Sequence, residues 1–423
     1  MNYILSAAAV QLEGNLALSG SKSETNRALL LQALYPLVTL TNGSNSDDSM
    51  YMQRALQTVR DSKQNTASSP EEFQLVDIHH AGTAMRFLTA YFAATPGTKV
   101  LLTGSSRMQE RPISILVDAL RALGADIAYA GNDGFPPLKI TGKLLSGRQV
   151  QLDAQVSSQY VSALLLVGNS TKNGLELTLN GQITSLPYIE MTRSLLAQVG
   201  IDSVFNGQTL SIASNQVVEP QELVVESDWS SASYFYSIIA LSPVGSNLTL
   251  SSFKAESLQA DAILARVYEA FGVQSHLSSH QLTLTKISEP TITHFDFDFT
   301  HAPDIAQTAA VSCYGLHITC DFTGLHTLKI KETDRLVALQ TELTKFGAVV
   351  EITHNSFHLK SCSRDFVYHS DVIAVDTYQD HRMAMAFAPL AILSPIQIND
   401  ADVVTKSYVD FWNHLSEIGF LVK

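Results

Sequence analysis

Basic and hydroxyl side chains stand together where the sequence predicts that helices begin. Lys22, Ser23 and Arg27 lie in GSKSETNR, directly before the apolar run ALLLQAL. The N-terminus of a helix favours negative charge, so two cations there are unfavourable unless an anion binds between them. The segment predicts a phosphate or carboxylate cradle, although an ordinary capped helix explains it equally well when it is considered alone. It is not a P-loop, because the glycine and lysine spacing of that motif is absent.

Further segments of the first half repeat this combination. Gly82 in AGTAMR lets a backbone approach a ligand closely, and Arg111 in RMQERP offers the planar guanidinium that suits carboxylate and phosphate. Ser157, Ser158 and Gln159 precede the apolar run VSALLLV, where hydroxyl groups can cap a helix or bind a phosphate. Capping or a solvated loop explains each segment when it is taken singly.

The second half mixes carboxylates with its cations. Asp304 lies in HAPDIA, Glu332 in KETDR, Arg382 in DHRMAM and Lys406 in VVTKSY, and KETDR can also be a capping segment for the helix that follows. At least five helix starts carry basic or hydroxyl groups, although the chain has 40 acidic and 27 basic residues and a formal charge of -13. This recurrence favours a small, multiply charged anion as ligand. An acidic chain is not typical of proteins that bind nucleic acid or anionic membranes non-specifically.

A repeated helix-glycine-strand pattern supplies the elements that position these residues. Five amphipathic stretches end in a glycine that precedes a strand-like run, and these glycines are Gly124, Gly200, Gly272, Gly347 and Gly419. Subtracting successive numbers gives spacings of 76, 72, 75 and 72 residues. Glycine suits the left-handed residue just past a helix end, and repeated helix-strand units bury their apolar faces by stacking. A sixth copy without the glycine is predicted in SDDSMYMQRALQTV.

Length and composition limit the class of protein. A chain of 423 residues exceeds the usual size of one hydrophobic core, so two domains are expected, with a crossover at residues 220–226. Three cysteines without metal-ligand spacing and the absence of a long apolar run predict a cytoplasmic protein without disulfides or membrane spans. No HxxxH or HExxH spacing is present, so no metal site is predicted. The polar stretch from Asp61 to Glu72 predicts an exposed loop.

Six motifs, in this order, resemble those of the EPSP synthases. They are GSKSxxNR at 20–27, AGTAMR at 81–86, RMxERP at 107–112, SSQ at 157–159, KETDR at 331–335 and DHRMAM at 380–385. The resemblance implies the α/β enolpyruvyl transferase fold: two inverse-helix barrel-like domains, each with three βαβαββ repeats about a pseudo-threefold axis. One domain would contain residues 1–20 and 227–423, and the other residues 21–226. The active site would lie in the cleft between them and close around substrate.

The resemblance also implies a reaction without cofactor or metal. The 5-hydroxyl of shikimate 3-phosphate would add to the enol carbon of phosphoenolpyruvate, and phosphate would then leave the tetrahedral intermediate. By motif matching, Glu332 would protonate the methylene carbon, Asp304 would receive the hydroxyl proton and Lys22 would stabilise the leaving phosphate. The residues matched to phosphoenolpyruvate are Lys22, Gly82, Arg111, Gln159, Arg335, Arg382 and Lys406. Those matched to shikimate 3-phosphate are Lys22, Ser23, Arg27, Ser157, Ser158, Gln159, Ser185, Asp304, Thr327 and Lys331.

Four positions depart from the commonest pattern of the family. His80 and Thr327 stand where many members have Asn, Phe87 where many have Pro, and Leu186 where many have Lys. The family's response to the inhibitor glyphosate is therefore not carried over to this chain. Members are usually monomers, which is also the expectation here.

Two other functions compete with this interpretation. The sister enzyme that transfers enolpyruvyl to UDP-N-acetylglucosamine shares the architecture, but it commonly carries a Cys in the loop that here reads GSSRMQER. A binding protein that has lost catalysis is the other alternative, since a fold alone does not give a function. The charged residues of the motifs are all present, which favours the shikimate enzyme.

Overall fold

The computed structural model describes residues 1–7, 11–64, 72–153, 157–181, 183, 186–362 and 372–423. The chain divides into two compact units: unit 1 is Met1–Ser19 with Glu226–Lys423, and unit 2 is Gly20–Val225. These limits lie one residue from the predicted domain limits at each crossover. Unit 2 is therefore one continuous segment, whereas unit 1 draws its chain from both sides of it.

The α-helices are α1 (Lys22–Leu34), α2 (Asp47–Gln64), α3 (Gly82–Ala94), α4 (Ser106–Gln109), α5 (Ser114–Ala122), α6 (Ser158–Gly168), α7 (Leu186–Gln198), α8 (Trp229–Leu241), α9 (Leu264–Glu269), α10 (Ala306–Gly315), α11 (Arg335–Lys345), α12 (His381–Phe387) and α13 (Phe411–Glu417). Short 3-10 helices span Ala260–Ile263, Pro303–Ile305, His326–Ile330, Ala388–Ile392 and Ala401–Lys406.

The strands are β1 (Tyr3–Ala7), β2 (Glu13–Leu16), β3 (Val38–Thr41), β4 (Gln74–Asp77), β5 (Lys99–Thr103), β6 (Asp126–Tyr129), β7 (Leu138–Thr141), β8 (Gln149–Asp153), β9 (Leu175–Asn180), β10 (Ser203–Asn206), β11 (Thr209–Ile212), β12 (Gln221–Val224), β13 (Asn247–Ser251), β14 (Val273–Ser278), β15 (Gln281–Lys286), β16 (His294–Asp298), β17 (Thr319–Thr323), β18 (Val349–Ile352), β19 (Phe357–Ser361), β20 (Ile373–Val375), β21 (Ile396–Ile398) and β22 (Phe420–Val422).

One sheet pattern recurs in both units. In unit 2, the run from β4 to β7 forms a sheet in the order β4-β5-β7-β6, and the run from β8 to β11 forms the equivalent sheet β8-β9-β11-β10. The first two strands pair in parallel across a helix, and the last two form an antiparallel hairpin. In unit 1, β16 to β19 repeat this arrangement. These are the predicted βαβαββ repeats, and the predicted fold class is confirmed.

Two strands near the N-terminus complete sheets of unit 1 whose other strands come much later in the chain. Strand β1 lies between β21 and β22 and pairs antiparallel with both. Strand β2 pairs in parallel with β13 at the edge of the sheet β14-β15-β13-β2. In its sheet, β1 takes the place that β7 takes in the sheet of β4 to β7. In unit 2, β12 and β3 form a two-stranded parallel sheet.

Three helices pack against one another inside each unit. They are α1, α3 and α6 in unit 2, and α8, α10 and α12 in unit 1, and we call them the inner helices. All the residues of α10 are buried, as are all those of α8 except Ser230. The first turns of α1, α3, α6, α10 and α12 carry or directly follow motifs singled out above. Each unit therefore brings together motifs that are far apart in sequence.

The predicted glycines mark helix ends, as expected. Gly124, Gly200, Gly272, Gly347 and Gly419 follow α5, α7, α9, α11 and α13, and each has a φ between 79° and 99°. Behind three of these glycines, the next N–H donates to the carbonyl five residues earlier, as in a Schellman motif. The sixth copy is helix α2, and the residues directly after it, 65–71, lie outside the described ranges.

The predicted loop from Asp61 was wrong at its start. Helix α2 continues to Gln64, because no glycine or proline interrupts residues 61–64. Within the described ranges, no helix is both long and apolar enough to cross a membrane.

Candidate active site

Charged residues of unit 1 meet around the starts of α10, α11 and α12. The group comprises Asp304, Lys331, Glu332, Arg335, Asp380, Arg382 and Lys406, and we call it the Arg335 cluster. Helix α11 begins at Arg335 and α12 follows its N-cap residue Asp380. Asp304 lies in the 3-10 helix directly before α10, and Lys406 ends another 3-10 helix. Four separate segments thus supply the cluster.

Arg335 joins three carboxylates. Its Nε lies 2.6 Å from Asp380 Oδ2, one terminal nitrogen lies 3.0 Å from Asp304 Oδ1, and the other lies 2.9 Å from Glu332 Oε2. The Arg335 side chain is only 2% exposed. A planar guanidinium presents its donors in fixed directions, so it can hold three partners at set angles where an ammonium could not. Arg335 therefore fixes the positions of Glu332 and Asp304 relative to each other.

Glu332 is ionised in this arrangement. Burial opposes its charge, but Lys406, Arg335 and His381 outweigh burial, and they hold the pKa of Glu332 well below its usual value. The closest of these contacts joins Lys406 Nζ and Glu332 Oε1 at 2.5 Å. The carboxylate is 17% exposed, so solvent reaches it.

Asp304 is ionised for similar reasons. Burial opposes its charge, and Arg382, Lys331 and Arg335 together bring its pKa well below the usual value. Arg382 Nη2 lies 3.2 Å from Asp304 Oδ2, and Lys331 Nζ lies 3.4 Å from Oδ1. An ionised carboxylate that is fixed in place can accept a hydrogen bond or a proton from a hydroxyl group.

The cluster has one more cation than carboxylates. Its four cations are Lys331, Arg335, Arg382 and Lys406, and its three carboxylates are Asp304, Glu332 and Asp380. Asp380 is fully buried, whereas Lys331 is 33% exposed. An anion approaching from solvent therefore meets accessible cations, and it can replace Glu332 and Asp304 as their partner.

The predicted residues of unit 2 lie around the starts of α1, α3 and α6. Lys22 Nζ lies 3.5 Å from Oδ2 of the buried Asp48. Gln159 Nε2, at the start of α6, donates to Thr83 Oγ1 at 3.2 Å, in the first turn of α3. The contact between Gln159 and Thr83 joins two of the predicted motifs directly.

Gly82 permits close approach by an arginine. A Cβ atom at this position would lie 2.6 Å from a guanidinium nitrogen of Arg111, which is too close for any other residue without a shift. The absence of a side chain at position 82 thus leaves room for the Arg111 guanidinium, as well as for a ligand close to the backbone.

Arg27 is held by protein groups. It is 2% exposed and donates to Thr192 Oγ1 at 2.7 Å, to Ser162 Oγ at 3.1 Å and to the carbonyl of Ser23 at 2.7 Å. Burial lowers its pKa to about 10, which leaves it charged at neutral pH. Its guanidinium also lies 5.3 Å from the centre of the Phe87 ring. Arg27 therefore connects α1 to α6 and α7 and supplies a fixed positive charge.

The serine and threonine predictions divide. Ser157 caps α6, and its hydroxyl accepts the N–H of Gln159, whereas Ser158 is 8% exposed. The Thr327 hydroxyl is buried and has no hydrogen-bond partner among the described residues. Ser185 lies outside the described residues.

Several neighbours of the site were missed by sequence reasoning. Asp48 and Asp380 provide the carboxylates beside Lys22 and Arg335, and Asp261 lies within electrostatic reach of Arg382. Asp380 stands inside DHRMAM, so its position was visible, but its partner is 45 residues away in sequence. The alternative role of KETDR as a cap is also real, because Asp334 accepts the N–H groups of Leu336 and Val337.

One group of described residues has ligand atoms close enough to hold a metal ion: His294, Asp296 and Asp321, on the β16-β17 surface. No metal site was predicted in the sequence. The Nζ atom of Lys360 lies 3.1 Å from Asp321 Oδ1, and His358 Nδ1 lies 2.5 Å from the same oxygen. This surface group therefore already contains positive or hydrogen-bonding partners for its carboxylate.

Comparison with known proteins places these geometries in context. Residues 7–415 match the family model described as EPSP synthase (3-phosphoshikimate 1-carboxyvinyltransferase). A 3-phosphoshikimate 1-carboxyvinyltransferase from Bacteroides fragilis (strain YCH46) is 43% identical over 425 residues, covering 100% of this chain and 99% of the relative. One from Shewanella halifaxensis is 35% identical, covering 99% of this chain and all of the relative. The solved EPSP synthase of Acinetobacter baumannii has a TM-score of 0.78 at 20% identity, covering 100% of this chain and 99% of that one.

Proposed function

The chain belongs to the EPSP synthase family, and on that premise we propose the parts that its charged residues play in the reaction. The enzyme transfers the enolpyruvyl group of phosphoenolpyruvate to the 5-hydroxyl of shikimate 3-phosphate and releases phosphate. The addition needs an acid for the methylene carbon and a base for the attacking hydroxyl. In the following elimination the methyl carbon returns its proton to a base as the bond to phosphate breaks, and the leaving phosphate needs charge stabilisation.

Cations of both units bind phosphoenolpyruvate in this proposal. The set is Lys22, Arg111, Arg335, Arg382 and Lys406, with Gly82 and Gln159 contributing close approach and a hydrogen bond. The excess positive charge of the Arg335 cluster supports this assignment. It stays a prediction that the cations of unit 1 and those of unit 2 bind the same substrates. Substitutions in either unit test it.

Glu332 protonates the methylene carbon, and substrate binding prepares it for that step. Without ligand, Lys406 and Arg335 keep Glu332 ionised, so it has no proton to donate. The carboxylate and phosphate of phosphoenolpyruvate compete for those two cations. Once the cations turn to substrate, burial of Glu332 dominates and raises its pKa, so that it takes up the proton it will transfer.

Asp304 receives the proton of the attacking hydroxyl. Its low pKa keeps it ionised at neutral pH, and Arg382 and Lys331 fix its two oxygens. In this proposal, shikimate 3-phosphate is bound by Asp304 together with Lys22, Ser23, Arg27, Ser157, Ser158, Gln159, Ser185, Thr327 and Lys331. Lys22 also stabilises the phosphate that leaves. The nearby Asp48 supports this role, because its carboxylate holds the Lys22 ammonium in place.

The assignment of roles depends on one observation: two ionised carboxylates pair with one buried arginine and with three further cations around it. The test is phosphate release from phosphoenolpyruvate in the presence of chelator, with shikimate 3-phosphate or UDP-N-acetylglucosamine as acceptor. We expect release with the shikimate acceptor only. Release with the sugar nucleotide alone would reassign the chain to the sister enzyme, and no release with either would favour a binding protein.

Variants assign the acid. Glu332→Gln keeps the shape of the side chain but cannot donate a proton as a carboxylic acid does, and we expect a loss of at least about 100-fold in kcat. Glu351→Gln, at an exposed position of β18, is the matched control and should act like the wild type. Full activity of Glu332→Gln would remove Glu332 from the role of acid.

The enzyme is also proposed to work as a cytoplasmic monomer without nucleic-acid or membrane partners. Its acidic composition supports the absence of nucleic-acid and membrane partners, and its three free cysteines support a reducing compartment such as the cytoplasm. Light scattering of the purified chain at several concentrations tests the monomer, and a mass that doubles with concentration would contradict it.

A further inference from the structure

Asp261 is a buried carboxyl group beside the Arg335 cluster, and the proposed mechanism gives it no role. It lies in the 3-10 helix Ala260–Ile263 and is 5% exposed. Its Oδ2 accepts a hydrogen bond from the hydroxyl of Ser230, and its Oδ1 has no partner among the described residues. A buried carboxyl group with one open oxygen is costly, so its presence calls for a compensating use.

Ser230 connects Asp261 to the cluster. It stands in the first turn of α8, after the N-cap residue Asp228, and it is the one residue of that helix that is not buried. Arg382 Nη2 lies 3.2 Å from Ser230 Oγ and also 3.2 Å from Asp304 Oδ2. Because a hydroxyl has a single hydrogen and Ser230 gives it to Asp261, the oxygen of Ser230 presents lone pairs to Arg382. The contacts therefore run from Asp261 through Ser230 to Arg382.

We propose that Asp261 is a positioning residue that orients Arg382 for the anionic substrate by fixing Ser230 as a hydrogen-bond acceptor. Asp304 and Ser230 hold the same nitrogen of Arg382, so the guanidinium plane is set from two sides. Without Asp261, the Ser230 hydroxyl can rotate and point its hydrogen at the cation. This inference rests on the proposed function, because it assumes that Arg382 binds phosphoenolpyruvate.

The surroundings of Asp261 give the device a second property. Burial raises its pKa to about 7, and the charges of Asp304 and Asp228 add to that effect, against Arg382 and the hydrogen bond from Ser230. Asp261 therefore changes charge near neutral pH, whereas Asp304 stays ionised. Above pH 7 it adds a negative charge next to the proposed anion site, and below pH 7 it does not.

Steady-state kinetics of the full-length chain test the positioning role. Ser230→Ala and Asp261→Ala should each raise the KM for phosphoenolpyruvate about tenfold and change kcat by no more than about threefold. The KM of the double variant should exceed that of the more impaired single variant by no more than about twofold, because both substitutions break the same connection. Asp261→Asn keeps an oxygen for the Ser230 hydroxyl, so its KM should stay within about twofold of the wild-type value.

The pH dependence separates this role from a structural one. The ratio of the wild-type KM to the Asp261→Asn KM should rise about threefold between pH 6 and pH 8, since only the wild type gains the charge. Substrate titration cancels in this ratio. Ser242→Ala, a buried serine that ends the same helix and donates to the carbonyl of Ile238, is the control and should leave KM unchanged.

Several results would overturn the inference. One such result is a fall in kcat without a change in KM. Another is full additivity of the effects of Ser230→Ala and Asp261→Ala on KM. A third is an Asp261→Asn variant that is as impaired as Asp261→Ala. Circular dichroism and urea unfolding check that each variant is folded, and Ser230→Ala carries the test if Asp261→Ala does not fold. A wild-type chain without transfer activity would instead overturn the proposed function, and this inference with it.

Discussion

A single guanidinium fixes the geometry of the two carboxylates that the proposed reaction uses. Arg335 bonds Glu332 and Asp304 through its terminal nitrogens and Asp380 through Nε. The three partners come from three different segments of unit 1: Asp304 from the 3-10 helix before α10, Glu332 from the loop before α11 and Asp380 from the N-cap of α12. Removing the geometry of the guanidinium while keeping its charge therefore separates positioning from electrostatics.

Arg335→Lys makes that separation. One ammonium cannot bond three carboxylates in a plane, so kcat/KM should fall at least about 100-fold. The free energy of unfolding should fall by about 2 kcal/mol, because buried carboxylates lose partners. Arg266→Lys, at an exposed position of α9, is the matched control. Enzyme assays and urea unfolding measure both effects, and an active Arg335→Lys enzyme would contradict the role given to the guanidinium.

Acid should destabilise the ligand-free enzyme partly through Glu332. The pKa of Glu332 is lower in the folded chain than in the unfolded chain. Its contribution to stability is therefore present above the unfolded pKa of about 4.3 and is lost as the pH falls through the folded pKa. The wild type should lose more unfolding free energy than Glu332→Gln between pH 5 and pH 3. Urea titrations at stepped pH measure this difference, and parallel losses would mean that the ion pairs do not stabilise the fold.

At the residue scale, the sequence motifs named the four cations of the Arg335 cluster and two of its three carboxylates. Glu332, Arg335 and Arg382 were all expected near one another because the motifs name them. Asp261 was not, because it lies in no charged motif and its relation to Arg382 exists only in three dimensions. Asp261 and Arg382 are 121 residues apart and are connected through Ser230, so their relation has no local sequence signal.

At the scale of elements, the helix starts carry the site and their caps hold it in place. Asp334 caps α11 directly before Arg335 and accepts two backbone N–H groups. Asp334→Ala should lower the free energy of unfolding by about 1 kcal/mol, whereas Asp334→Asn should keep most of the cap. Urea unfolding compares the two. Equal losses in both variants would show that the negative charge, and not the cap, is what matters.

Glycine at the helix ends can be tested with a matched pair in one repeat. Gly124 has a φ of 98°, and a Cβ there would meet nothing closer than Ser146 Oγ at 3.6 Å, so Gly124→Ala tests backbone conformation alone. It should cost about 1 kcal/mol of unfolding free energy. Gly131 does not have a positive φ, and Gly131→Ala should be neutral or slightly stabilising. Equal unfolding midpoints for the two variants would contradict the role of Gly124 as a left-handed helix end.

The glycine spacing could be read from sequence because the left-handed residue after a helix strongly prefers glycine. The end of α2 could not be read in this way. Polar residues at 61–64 suit a loop and a solvated helix turn equally, and without glycine or proline no local signal distinguishes them. The pairing of β1 with β21 and β22 was also beyond local patterns, since it joins residues nearly 400 positions apart.

At the scale of the whole molecule, the two units differ in how their chains are supplied. Unit 2 is one segment, Gly20–Val225, whereas unit 1 needs residues before and after it. A fragment of residues 20–225 should unfold cooperatively on its own. A fragment of residues 226–423 should not, because it lacks β1 in the middle of one sheet and β2 at the edge of another.

A joined version of unit 1 controls for the missing strands. Ser227 Oγ donates to the carbonyl of Leu18, and the N–H of Asp228 donates to that of Ser19, so residues 19 and 226 can be connected by a short glycine linker. This version should recover cooperative unfolding in circular dichroism and urea titrations. If residues 226–423 fold as well without β1 and β2, the sheets do not depend on them.

The position of β1 sets an order of events during synthesis on the ribosome. Residues 3–7 are made before unit 2, yet their two partner strands are made after it. Unit 2 can reach its folded state while translation continues. The first strand must meanwhile wait, unpaired, until about 390 further residues have been made. Its exposed backbone during that interval is where chaperones or proteases would find the nascent chain most open.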